Sequence, residues 1–181
     1  KSVNIWPLVR IDSLGRIVTG TTPPSALPEL FGDEVPFLTP SDMTFESKFV
    51  RTERSLSVET AARFSKRLIP TGSVCFVCIA SVGKICLTTE TMLTNQQINS
   101  VVVDSETTDA HFVFYLLRSL SKSISRTASG TATPIINKTD FSRFEVPVPS
   151  FPVQRAIGQT LSLFDDLIEK NRRRIELLEE T

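Results

Sequence analysis

In the last segment of the chain, FPVQRAIGQTLSLFDDLIEKNRRRIELLEET, one repeat runs through Ile157, Leu161, Phe164, Ile168, Asn171, Ile175 and Leu178, with alternating steps of four and three. All but Asn171 are apolar, and the spacing predicts a helix with a heptad seam. Pro152 suits its first turn, where a missing N–H has no intrahelical partner to lose. From Val153 to Leu178 such a helix runs about 39 Å at 1.5 Å per residue, so part of it should project from a body of this size. A stripe of two positions in seven is narrower than the face a docked helix normally buries, which favours pairing with another helix. Asn171 on the seam would cost stability while fixing register and partner number. A helix laid on its own body, with Asn171 at the solvent edge, is the other reading.

Upstream, the pattern changes to short extended runs. WPLVRIDSLGRIVTG predicts a first strand, a helix capped by Asp12 or Ser13, and a stop at Gly20; TTPPSALPEL is a proline-rich loop. Val35 to Leu38 reads as a short buried strand ending at Pro40 and Ser41. An extended piece then leads to Ser57, a cap for a short helix reaching about Phe64. A turn at Pro70, Thr71 and Gly72 feeds the strongest strand, Ser73 to Ile79, and Gly83 allows a hairpin into Lys84 to Leu87. Ile98 to Val103 is a further strand. Phe112, Tyr115, Leu116, Ser119 and Leu120 predict a helix starting near Thr108 or Asp109 and packing on the sheet. SRTASGTATP is a loop, and IINKTDFSRFEVPVP should hold two brief strands around a turn or short helix at Thr139 to Ser142. The expected fold class is α+β: one body, residues 1–150, with a twisted mixed or antiparallel sheet and few helices, followed by a long helix of coiled-coil type, residues 151–181.

The 181 residues suffice for one packed domain plus an appendage, and 40% hydrophobic with 22% charged residues is ordinary for a globular protein. No apolar run approaches the ~18 residues of a membrane span. A chain starting at Lys1 without a leader reads as a processed product or a piece of something longer. Cys75, Cys78 and Cys86 form an odd set without a secretory signal, which points to reduced thiols and a cytoplasmic location. The formal net charge is +0, but the basic residues cluster. Lys48, Arg51, Arg54, Arg63, Lys66 and Arg67 meet only Glu53 and Glu59; Arg118, Lys122, Arg126, Lys138 and Arg143 meet only Asp140. Two basic segments in a neutral chain suggest a local patch for an anionic partner, with solvated surface charge as the plainer alternative.

Little in the chain suggests chemistry. Cys75 and Cys78 have CxxC spacing, but in a strand they point to opposite faces, and no second pair accompanies them. His111 sits in a helical pattern without the partners nucleophilic catalysis needs. Phosphate-cradling glycine motifs are absent. Asp42, Glu46 and Lys48 resemble a metal-nuclease set in type. The three residues between Asp42 and Glu46 are too few to place the carboxylates on neighbouring strands, so no metal or catalytic site is expected. Hydrogen-bonding loop residues are plentiful instead: Asn95, Gln96, Gln97 and Asn99 in TNQQIN, and Ser129, Thr131, Thr133, Asn137 and Lys138 in SGTATPIINKT. Amides pair with adenine edges, Arg and Lys with guanine, and Thr with thymine, so these residue types suit DNA reading as well as they suit ordinary loops.

In order, TGTTP, PFLTPSDM, LIPTGSVCFVCIASVGKICL, TNQQINSVV and SGTATPIINKTDFSRFEVPVPSFPVQRAIGQ leading into the long helix resemble the specificity subunit of type I restriction-modification enzymes, over nearly the whole chain. That resemblance implies a target-recognition domain for double-stranded DNA followed by a spacer helix. The usual subunit has two of each, reading the two halves of a split target. It also implies no catalysis by this chain. S-adenosylmethionine, ATP and Mg would sit on the modification (methyltransferase) and restriction subunits that dock to it. One domain and one helix make half of that architecture, which leaves a fragment, a half-subunit acting as a dimer, or one part of a split gene. TNQQI and SGT look like shared framework of the family, suited to phosphate contact or loop bracing. The expected DNA-binding set is Lys48, Arg51, Arg54, Lys66, Arg67, Asn95, Gln96, Gln97, Thr131, Thr133 and Lys138, and the seam Ile157 to Leu178 is the expected interface of a two-fold homodimer. The competing class is a protein-interaction head on a coiled-coil stalk, without DNA binding.

Overall fold

The computed structural model describes residues 6–24, 30–129 and 133–179. Strand β1 (Leu8–Arg10) is followed by a single 3-10 turn at Ile11–Ser13 and then by β2 (Gly15–Thr19). The helix expected after Asp12 or Ser13 is therefore a strand. The polar cap signal is satisfied by one turn, and the next residues pair with the later strand Ile98–Val103, from Gly15↔Val103 to Thr19↔Asn99. Long-range pairing overrides the local signal here.

Strands β3 (Phe31–Gly32), β4 (Val35–Leu38) and β5 (Arg54–Leu56) lead to α1 (Val58–Arg63), whose amide at Thr60 donates to the Ser57 hydroxyl as the cap pattern predicts. A 3-10 turn at Ser65–Arg67 leads on to β6 (Val74–Val77), β7 (Ile85–Leu87), β8 (Leu93–Thr94) and β9 (Ile98–Val103). Helix α2 (Ala110–Ser125) is capped by Asp109, which accepts from the Phe112 amide. Helix α3 (Lys138–Arg143), β10 (Glu145–Pro147) and the 29-residue α4 (Phe151–Glu179) complete the chain. Of the two strands expected in IINKTDFSRFEVPVP, the second is β10, whereas Ile135 makes only isolated bridges to Ile79 and Ser129.

One sheet has the order β2-β9-β6-β7 and is antiparallel throughout; a second, β3-β5-β4-β8, is mixed because β4 and β8 run parallel. Every residue of β6 is buried, which explains its uninterrupted apolar run. Val74, Phe76 and Cys78 join the core under α2, while Cys75 and Val77 join a second cluster with Leu38, Met43, Ile69 and Met92. The two CxxC thiols thus lie on opposite faces. Ala80, at φ +62°, and Gly83, at φ +100°, supply the positive-φ residues that close the β6–β7 hairpin.

Candidate nucleic-acid interface and the helix joint

Strand β2 is an edge of its sheet, and the groove beside it holds about 540 Å³. It is lined by Arg16 to Thr19, by Lys66 and Arg67 of the second 3-10 turn, and by Lys138, the first residue of α3. Four exposed cations meet there with no carboxylate in the lining. Arg67 is oriented by the end of β2, donating to the Thr19 carbonyl at 2.8 Å and the Gly20 carbonyl at 3.4 Å. Lys66, Arg67 and Lys138 come from the set expected on sequence grounds. Arg16 does not: its single charge in an apolar run gives no signal until β2 is placed at the sheet edge.

The polar loops gather at the same end of that sheet. The Cys78 amide donates to the Gln97 carbonyl, the Ile136 amide to the Cys78 carbonyl, and the Ala80 amide to the Pro134 carbonyl, so three segments lie side by side beyond β6 and β9. Asn95 acts as a brace: its side-chain oxygen accepts from the Gln97 amide at 2.8 Å and its side-chain nitrogen donates to the Thr22 hydroxyl at 3.0 Å. That hydroxyl in turn donates to the exposed Gln96 side chain. Thr133 is exposed, and Thr131 lies outside the described residues.

Three members of the basic segment go elsewhere. Arg51 is exposed, and Arg54 stacks over Phe31 and Phe37 at 5.5 and 5.4 Å, on the mixed sheet. Lys48 is 7% exposed and lies against α4, so it leaves the expected DNA-binding set. Its ammonium donates to the Ser162 hydroxyl at 2.5 Å and sits 4.8 Å from the Phe49 ring centre. Burial lowers its pKa, opposed by Asp166 and Asp165. The nuclease-like set is dispersed as well. Asp42 accepts from the Thr39 and Glu53 amides, and Glu46 pairs with Arg172 at 3.7 Å. Among the described residues no group of three or more His, Cys, Asp or Glu side chains is arranged to hold a metal ion. The three thiols are free and buried; burial pushes Cys78 up to about 12, although the Asn99 amide donates to its sulfur.

Helix α4 meets the body through one stripe, Gln154, Gly158, Ser162 and Asp165. Gln154, 3% exposed, accepts from the Asp109 amide and donates to the Pro149 carbonyl, joining α4 to the cap of α2. A Cβ on Gly158 would collide with the Asp109 carboxylate and lie 2.9 Å from the Phe112 amide nitrogen. The glycine lets the two helices touch. Asp165 accepts from the Tyr115 hydroxyl at 2.7 Å and faces Arg118 at 3.7 Å. Ile157 is half-buried against the core, so the seam loses its first expected member. Leu161, Phe164, Ile168, Ile175 and Leu178 are exposed, on a stripe centred roughly 100° round the helix from the docked one. No helix among the described residues is long and apolar enough to cross a membrane.

The described residues form an α+β body with three small sheets, the third pairing β1 with β10, few helices and a long terminal helix, and the sequence identifies its family. The family model described as the type I restriction modification DNA specificity domain matches residues 5–180, so the chain belongs to that family. It is 38% identical over 148 residues to the specificity subunit of the type I restriction enzyme HindI from Haemophilus influenzae, covering 80% of this chain and 32% of that protein. It is 26% identical over 178 residues to the MjaIX specificity subunit from Methanocaldococcus jannaschii, covering 96% and 41%. The structure of the type I restriction-modification S subunit from M. genitalium superposes with a TM-score of 0.70 at 22% identity, over 98% of this chain and 44% of that one. The HsdS subunit of Thermoanaerobacter tengcongensis gives 0.67 at 19%, over 93% and 39%. At these identities the two structures speak for the fold. The chain thus spans about a third to two-fifths of these two curated relatives.

Proposed function

We propose that this chain is a DNA-reading half of a type I restriction-modification system: residues 1–150 read one part of a split double-stranded target, and residues 151–181 form the spacer. The observation that carries the reading is the groove along β2, where Arg16, Lys66, Arg67 and Lys138 converge without a carboxylate in the lining. On a chain of zero net charge, such a focus suits the phosphate backbone. The loops carrying Gln96, Gln97 and Thr133 lie at the end of the same sheet, suited to phosphate contact, with Asn95 bracing the first of them. Arg51 and Arg54 lie outside this groove, Arg54 on the mixed sheet.

In this reading the chain performs no chemistry. S-adenosylmethionine, ATP and Mg belong to modification and restriction subunits docked to it, and the assembly works in the cytoplasm. The seam from Leu161 to Ile175 takes a like helix from a second copy, antiparallel, in a two-fold dimer that reads an inverted repeat. An electrophoretic shift with random-sequence duplex at two salt concentrations tests the reading, because release of counterions from DNA makes affinity fall steeply with salt. Absence of binding at low salt would favour the competing protein-interaction head.

A further inference from the structure

We propose that Lys48 is a positioning residue: its ammonium, held inside the joint, fixes the angle at which α4 leaves the body and thereby the gap allowed between the two parts of a split target. The second half of this statement rests on the DNA reading above. Lysine is rarely buried unless its charge has partners. Here Ser162 accepts its hydrogen bond, Phe49 and Tyr115 lie beneath the ammonium at 4.8 and 5.9 Å, and Asp165 and Asp166 face it. The loop carrying Lys48 joins β4 to β5, and Ser162 lies 114 residues further on. The contact therefore ties the mixed sheet to the spacer helix.

Apolar packing would anchor the helix as strongly, often more so, but without direction; a buried charge with set partners defines one orientation. Tyr115 and Arg118 hold Asp165 from the α2 side, and Glu46 meets Arg172 further along, so the helix is gripped from two elements. Between them lies a cleft of about 350 Å³ lined by Glu46, Lys48, Phe49, Arg118, Asp165 and Arg172 among others, which leaves room for tilt if the grip is lost. The arm beyond Ser162 reaches about 26 Å to Glu179 at 1.5 Å per residue. A tilt of only about 8° would move its end by roughly 3.4 Å, one base-pair step of a duplex with a ~34 Å turn.

Spin labels at E90C and E176C, in chains diluted with unlabelled protein, would report the distance from body to helix. The native thiols are buried and should stay unlabelled. The expected result is one narrow distribution for the otherwise wild-type chain and at least a twofold broader one in K48M and in S162A, with melting temperatures showing that both variants fold. Unchanged distributions in both variants would overturn the proposal. The second arm uses the chain assembled with modification subunits and duplexes whose target parts are separated by stepped gaps. Wild type should methylate one gap length, and K48M should accept neighbouring gaps with at least about fivefold weaker discrimination. Broader distances with wild-type gap discrimination would reduce Lys48 to a structural anchor and overturn the functional half. If the wild-type chain bound no duplex, the DNA reading would fail, and the label distances would still decide whether Lys48 sets the angle.

Discussion

Gly158 and Gln154 show how much of the joint rests on single side chains. The obstacle to a Cβ at Gly158 includes the backbone of α2 at Phe112, which cannot rotate away. Gly158→Ala should therefore cost about 1–3 kcal/mol, read from urea denaturation. Gln154→Ala would strand the Asp109 amide and the Pro149 carbonyl, at roughly 1–3 kcal/mol for each group left buried and unpaired. His111 belongs to the same contact. Its Nδ1 has no hydrogen-bond partner among the described residues, and burial, followed by the charge of Lys48, lowers its pKa from 6.5, with Asp109 and Asp166 opposing. Above pH 6.5 the imidazole is neutral folded or unfolded. Below it the unfolded chain takes up a proton that the folded one resists, so stability should fall as pH drops. Urea midpoints from pH 8 to 5.5 should fall less in His111→Gln than in wild type; parallel profiles would remove His111 from the account. Caps such as Ser57 and Asp109 were legible in the sequence because their partners lie three residues away. Lys48 was not, since nothing near it distinguishes a solvated lysine from one whose partner is Ser162.

Among elements, β4, β9, α2 and α4 follow from periodicity and punctuation, because each buries a regular face or ends at a strong cap or proline. Gly15–Thr19 defeats that logic, and so do β3 and β8, which are too short to hold a pattern and exist through pairing with β5 and β4. The docked stripe of α4 was hidden for a related reason. It is polar or small, Gln154, Gly158, Ser162 and Asp165, whereas the readable apolar stripe is the one left exposed. Burying each side chain of that stripe is worth about 1.5–3 kcal/mol. Sedimentation should therefore show wild-type dimers at high micromolar concentration and monomers for Ile168→Asp with Ile175→Asp. A wild-type chain that stays monomeric would rule out self-pairing through the seam.

For the whole molecule, the sequence signalled a local anionic partner on a neutral chain. The fold redistributes the residues that carried that signal: Lys48 to the joint, Arg54 over aromatic rings, and Lys66, Arg67 and Lys138 together with Arg16 to one groove. Such convergence depends on the edge position of β2 and could not be read from spacing, because Arg16 and Lys138 lie at opposite ends of the body's sequence. The direct test is the salt dependence of duplex binding by wild type and by Arg16→Ala, Lys66→Ala, Lys138→Ala combined, with Arg67 retained for its bonds to β2. If these three cations meet phosphates, affinity should drop for every sequence, and the slope of log affinity against log salt should be shallower by about three units. Wild-type affinity and slope in the triple variant would contradict a DNA face along β2.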